Sequence, residues 1–395
     1  MSPLRNPSPP LWLLVLVTFG GTLAMHMFVP ALPLVARELH ATPAAAQSTI
    51  SLYILGLAFG QLLYGPLSDR FGRRPTLLAG LALYTAAGLA CLWAPTVEVL
   101  LGARLLQALG GCAGLLLARA IVRDTSGTTE TLQRLATLGL ITLVGPGIAP
   151  LLGSAVVSTL GWRWVCACFV LLGALALAAV WLRLPETRPA ALPAPAQRPS
   201  LLADARTLLR SRLFVACTLG GGCSTTAFYA FVAAAPFIFG ERLHRPLHEV
   251  GYYLMAPVIG MSIGNLLAGR LAGRLHQARL MRHGSALSLA CATVLLLAML
   301  WMAQPSAWGV AVLMGFYAMG AGLCSPAVST KAISVDPRLT GSAAGLYGFT
   351  QMAIGALCSA LAGLGSDHGV SAALVLVGAG VVAQAAFRWG VKIEH

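Results

Sequence analysis

The chain has 395 residues; 57% belong to the hydrophobic set, only 10% are charged, and the formal net charge is +14. Soluble domains carry about 25% charged residues, so this chain has too few to clothe a globule in water. The basic excess does not suit a nucleic-acid interface, because Lys and Arg sit in short clusters between long apolar runs. The same runs exclude disorder, which leaves an integral membrane protein.

An apolar run of about 20 residues crosses ~30 Å of hydrocarbon. Such runs predict twelve spans, at residues 11–35, 46–67, 75–94, 97–122, 135–159, 164–182, 213–240, 250–269, 284–303, 306–330, 340–365 and 370–387. Helices are expected throughout, since each run then satisfies its own backbone in lipid. A barrel would show short alternating segments instead. The first run is too long for a signal-peptide core and lacks a small-residue cleavage site, so it reads as span 1.

If the N-terminus is cytoplasmic, twenty of the 26 Lys and Arg residues fall in inside segments and only Arg37, Arg163, Arg242 and Arg245 fall outside. The positive-inside rule therefore puts both termini in the cytoplasm. The longest interruption, 183–212, begins Arg-Leu-Pro-Glu-Thr-Arg-Pro and continues through Pro193, Pro195 and Pro199. It is expected to be extended, with 200–212 forming a short basic helix on the membrane surface. The chain thus divides into a six-helix half over 1–184, a linker over 185–212 and a second six-helix half over 213–395. Two such halves suggest a transporter built from repeats, with its site between them.

Span 1 carries His26 followed by Met-Phe-Val-Pro-Ala-Leu-Pro. Between spans 2 and 3 lies Gly65-Pro-Leu-Ser-Asp69-Arg70-Phe-Gly72-Arg73-Arg74-Pro75. A positive-inside loop alone would need neither these glycines nor an acid among guanidiniums. In span 4, Arg104, Gln107 and Gly111 share one helix face at i, i+3 and i+7. An arginine in a span is usually directed into a bundle or cavity; the bland alternative is snorkelling, from about 10 Å deep. Span 5 contains Gly145-Pro146-Gly147-Ile148-Ala149-Pro150-Leu-Leu-Gly153, where prolines remove helical hydrogen bonds and glycines permit close packing.

The loop of Gly65, Asp69, Arg70, Gly72, Arg73 and Arg74 resembles the signature of the major facilitator superfamily. That resemblance implies the major facilitator fold, an Asp69 facing the N-terminal end of span 11, and an Arg73 pairing with Asp124 after span 4. Together these contacts would form a latch holding the halves in the outward-open state. The span 5 segment is similar to the antiporter motif of exporters, although Ala149 stands where many have glycine. With Pro30-Ala31-Leu32-Pro33 and Trp162-Arg163-Trp164, the chain resembles the Bcr/CflA branch of drug:proton antiporters, most strongly over 20–185. That branch usually places aspartate where this chain has His26, so the proton-carrying carboxylate is replaced by an imidazole.

Unperturbed histidine titrates near neutral pH. His26 and Arg104 lie at nearly equal depth and are the candidates for proton coupling; the alternative is a neutral His26 that only shapes the pocket. Thr225, Thr226, Tyr317 and Gln351 fall near the midplane and Tyr53 somewhat nearer the outside; with His26 and Arg104 they are the substrate-binding candidates. Taken alone, each is more often a helix-packing residue than a ligand contact. His244, His248, Glu241 and Glu249 share an outer loop, but Pro246 prevents a common helical face, so no metal is expected. The nine cysteines form no C-x-x-C pair and read as small membrane-core residues.

The sequence thus points to an all-α polytopic exporter in a bacterial inner membrane, moving amphiphilic compounds outward on a proton gradient. It would act as a monomer with no cofactor and no nucleic-acid partner. An uncoupled facilitator or a metabolite exporter is the rival within transport. An intramembrane enzyme would need paired acids or a nucleophile–base set inside spans, whereas all twelve acids lie in loops or near span ends.

Overall fold

A computed structural model describes residues 9–188, 201–271, 274–302, 304–336 and 339–390. Every regular element among them is helical. In chain order these are α1 (Leu11–His26), a 3-10 turn (Val29–Ala31), α2 (Leu32–Glu38), α3 (Pro43–Phe71), α4 (Arg73–Leu92), α5 (Val97–Thr125), α6 (Thr128–Thr159) and α7 (Trp162–Arg183). The second half follows as α8 (Leu201–Arg210), α9 (Arg212–Thr225), α10 (Tyr229–Phe237), a π turn (Ile238–Arg242), α11 (Leu247–Leu271), α12 (Gln277–Trp301), α13 (Ala307–Ile333), α14 (Thr340–Ala362) and α15 (His368–Gly390). Eleven helical runs among the described residues are long and apolar enough to cross a membrane. The 32-residue α6 is a further long helix at the expected place of span 5.

Two expected spans are interrupted, each for a local reason. Span 1 breaks after His26, because Pro30 has no N–H to continue the ladder. Span 7 divides into α9 and α10 at Thr225 and Thr226. Their hydroxyls bond back to the Gly221 and Gly222 carbonyls at 2.7 and 2.8 Å, which competes with regular helix. Starts are capped where the sequence offers a hydroxyl: the oxygens of Thr42, Thr96, Ser211 and Ser306 accept from N–H groups three residues on. At the α3–α4 corner Gly72 has φ +103°, a region that side-chain-bearing residues rarely enter.

The first six spans pack among themselves and so do the last six; the two groups meet mainly through α3 against α14 and α6 against α11. Residues 189–200 of the expected linker, with Pro189, Pro193, Pro195 and Pro199, lie outside the described residues. Its C-terminal helix, α8, docks on the second group: Ser342 donates to Asp204 at 2.6 Å, and Leu208 packs with Phe214 and Ala343.

Contacts between the groups concentrate towards the end away from Arg70, Arg73 and Arg74. There the Gln47 amide donates to His368 Nδ1 at 3.0 Å, and Ser51 donates to Ser359 at 2.9 Å. Gly251 of α11 lies against the Pro150 carbonyl and Ser154 of α6; a Cβ there would meet either oxygen at 2.9 Å. Nearer the middle, Phe59 meets Phe349 with ring centroids 5.8 Å apart, and Gln61 lies against Gly348. Further towards the basic end, Gly65 and Gly341 face open space.

Candidate functional site

Arg104 is completely buried in α5. Its Nη2 donates to the Ala24 carbonyl of α1 at 2.9 Å, and its Nη1 to Gln107 Oε1 at 2.7 Å. The first bond satisfies a carbonyl in the last turn of the interrupted α1; the second realises the i, i+3 spacing. The guanidinium sits 4.2 Å from the Tyr53 ring centroid, 4.4 Å from Phe28 and 5.8 Å from Phe169. No carboxylate among the described residues pairs with it. Aromatic faces, a carbonyl and an amide hold the charge instead. Arg104 Nε and Gln107 Nε2 are buried donors without an acceptor among the described residues.

His26 does not bond to Arg104, despite their similar depth. Its Nδ1 lies 3.0 Å from the Thr22 carbonyl, and its ring centroid lies 6.3 Å from that of Tyr229 in α10. Burial is nearly complete, at 6% exposure. His26 thus faces the second group of helices, while Arg104 is withdrawn behind α1 in the first. The Tyr229 ring lies tilted against that of Phe228 with centroids 4.4 Å apart, and both rings are half-buried. Tyr229 escapes notice in the sequence because one aromatic in an apolar helix has no local pattern; its place beside the Thr225–Thr226 break was the available signal.

Around it, polar groups of α9 and α14 are knitted together. Gln351 donates through Nε2 to Thr225 at 2.9 Å and to Tyr347 at 2.8 Å. Thr226 also donates to the Gln351 carbonyl at 2.8 Å. Gly355 permits this approach, since a Cβ there would come within 2.9 Å of the Tyr229 ring. The structure thereby brings together His26, Thr225, Thr226 and Gln351. Tyr53 and Tyr317 lie apart: Tyr53 is fully buried with its hydroxyl donating to Gly21 at 2.9 Å, and Tyr317 is buried in α13 with its carbonyl accepting from Ser288.

The span 5 segment of α6 lies between α1 and α11. Gly145 faces Thr22 and Phe19 of α1, Gly147 faces Val258 of α11, and Gly153 abuts the Met27 carbonyl so closely that no Cβ would fit. Helix α6 continues unbroken through Pro146 and Pro150. Its small residues let its backbone touch both α1 and α11.

At the basic end, Arg73 donates through Nε to Asp124 at 2.8 Å and through Nη1 to Asp69 and Ser68, each at 2.6 Å. Two carboxylates therefore flank one mostly buried guanidinium. Glu186, unnoticed in the sequence, accepts the backbone N–H groups of Arg73 and Thr187 at 2.9 Å and of Arg74 at 3.2 Å. A carboxylate over the first turn of α4 also complements its dipole. Arg188 reaches the Arg70 carbonyl at 3.1 Å, and Arg74 donates to the Trp181 carbonyl at 2.8 Å. At the opposite end, Glu38 accepts from Trp162 and Arg163, each at 2.8 Å. No group of three or more potential metal ligands occurs among the described residues.

Residues 14–360 match the profile of the Major Facilitator Superfamily. Multidrug resistance protein D of Escherichia coli (strain K12) is 30% identical over 86% of this chain and 85% of its own length. A chloramphenicol resistance protein of Pseudomonas aeruginosa is 33% identical over 72% of this chain and 67% of its own. In fold, the crystal structure of a D-xylose–proton symporter superposes with a TM-score of 0.72 over 97% of each chain at 15% identity. The chain belongs to the Major Facilitator Superfamily.

Proposed function

We propose that this transporter exports amphiphilic drug-like compounds in exchange for protons, alternating access between two six-helix halves. Family membership makes it a transporter rather than an enzyme, one that works without a resident cofactor. Drug efflux is supported by the names of its relatives, a multidrug and a chloramphenicol resistance protein. The observation that carries the reading is the cluster at the meeting of the halves, where His26 from α1 faces Tyr229 beside Thr226 and Gln351.

With the basic end in the cytoplasm of a bacterial inner membrane, the contacts of Gln47 with His368 and Ser51 with Ser359 close the outer side. This conformation would then receive compounds from within. His26 takes the proton-carrying place, and Arg104 supports it by bonding the Ala24 carbonyl two residues away. The Asp69–Arg73–Asp124 cluster acts as the latch, and it grips the N-terminal end of α14 when the outer side opens. One monomer in the bilayer suffices for this cycle.

The test is uptake into inverted membrane vesicles with an imposed pH gradient and a panel of amphiphilic compounds. Accumulation that collapses with the gradient is expected. Equal uptake with and without it would favour an uncoupled facilitator.

A further inference from the structure

The charges of the chain are arranged in a way that bears on which compounds the proposed site accepts. The eleven acidic residues among those described lie in loops or within about two turns of a helix end, and none of them lies on the middle stretch of a spanning helix. The middle holds His26 and Arg104. Arg104 lies against Ala24 and Phe28, two residues to either side of His26, and has no carboxylate partner among the described residues. It is moreover under-supplied with acceptors, as its Nε and the neighbouring Gln107 Nε2 both lack one. Polar groups at the cluster itself are neutral: Thr225, Thr226, Tyr229, Tyr347 and Gln351.

In a low-dielectric interior an uncompensated charge acts over many ångströms, because little solvent screens it. A lipophilic cation entering beside His26 would meet one fixed positive charge and no negative one. Its lost hydration would be replaced by ring faces and a few neutral oxygens, with no carboxylate among them. A neutral compound with hydrogen-bond acceptors meets the Tyr229 and Tyr347 hydroxyls, whose protons are not spent on Thr225, Thr226 or Gln351, and an anion also gains from the guanidinium field.

Resting on the exporter reading above, we infer that this transporter is charge-selective, taking neutral or anionic amphiphiles and rejecting lipophilic cations of the same shape. Gln351 is the position at which that selectivity can be inverted. Its Nε2 contacts two hydroxyls; a glutamate of equal size would find the Tyr347 hydroxyl ready to donate to it, while Thr225 already donates to the Gly221 carbonyl.

The experiment measures binding to purified protein in a neutral detergent, using tetraphenylphosphonium, tetraphenylborate and the neutral triphenylphosphine oxide. Comparing wild type with Gln351→Glu cancels partition into detergent. Wild type is expected to bind the neutral and anionic probes at least tenfold more tightly than the cation. Gln351→Glu should tighten the cation tenfold or more and weaken the anion, and Arg104→Gln should narrow the gap between the two ions. Wild-type preference for tetraphenylphosphonium, or ratios unmoved by Gln351→Glu in a protein that still melts cooperatively, would overturn the inference. Binding needs no pH gradient, so correct selectivity without gradient-driven transport would overturn the exporter reading alone.

Discussion

Arg104 Nη2 donates to the carbonyl of Ala24 at 2.9 Å, tying α5 to α1 just before α1 is interrupted. A buried guanidinium thus replaces a helical N–H as the partner of that carbonyl, and three aromatic rings face it in place of a counter-ion.

Removing that bond should cost stability as well as transport. Hydrogen bonds to charged groups are each worth about 1.5–3 kcal/mol, and Arg104→Ala loses two together with its packing against Tyr53 and Phe28. A fall in melting temperature of at least 5 °C in detergent is expected. Arg104→Lys should recover less than half of it, since a point charge cannot bond Ala24 and Gln107 while stacking on the rings.

At the basic end, Asp69→Asn should reduce transport severalfold while membrane insertion stays intact, because topology depends little on acids. Glu186→Gln should also impair it, through the docking of residues 186–188 on the start of α4. Transport rate and insertion, read by protease accessibility of the basic loops, separate the two effects. Wild-type transport in Asp69→Asn would remove the latch.

In α6, Gly153→Ala places a methyl group on the Met27 carbonyl. Overpacking of this kind costs about 1–3 kcal/mol, and a lowered melting temperature with reduced transport is expected. Pro146→Ala leaves those contacts in place and should act on transport, by leak or altered direction, with little change in melting.

The outer closure can be trapped. Ser51 and Ser359 hydroxyls are 2.9 Å apart, within the reach of a disulfide. In a background lacking the native cysteines, Ser51→Cys with Ser359→Cys should cross-link on oxidation and stop transport. Reduction should restore it. Transport that continues in the fully cross-linked protein would contradict alternating access through this end.

Local patterns made much of this legible in the sequence. Hydropathy marked the spans, and the Gly65–Pro75 spacing marked the loop in which Arg73 meets Asp124. The i, i+3 separation put Gln107 under Arg104. Depth alone left open whether His26 and Arg104 meet: equal distance along two helices says nothing of rotation, and α1 turns the imidazole towards Tyr229 while Arg104 reaches the backbone behind it. Tyr229, Glu186, Gln47 and His368 were missed for a related reason. Each matters through a partner more than 100 residues away, and no window of sequence contains both.

Proton coupling through His26 is tested most directly in proteoliposomes holding no imposed pH gradient. A gradient of a transported neutral compound should drive protons the opposite way across wild-type protein, read by an enclosed pH dye. His26→Ala should still bind the compound yet move no protons. His26→Asp should restore proton movement with its optimum at lower pH, since a carboxyl group titrates in the acid range. Undiminished substrate-driven proton flux in His26→Ala would contradict the assignment.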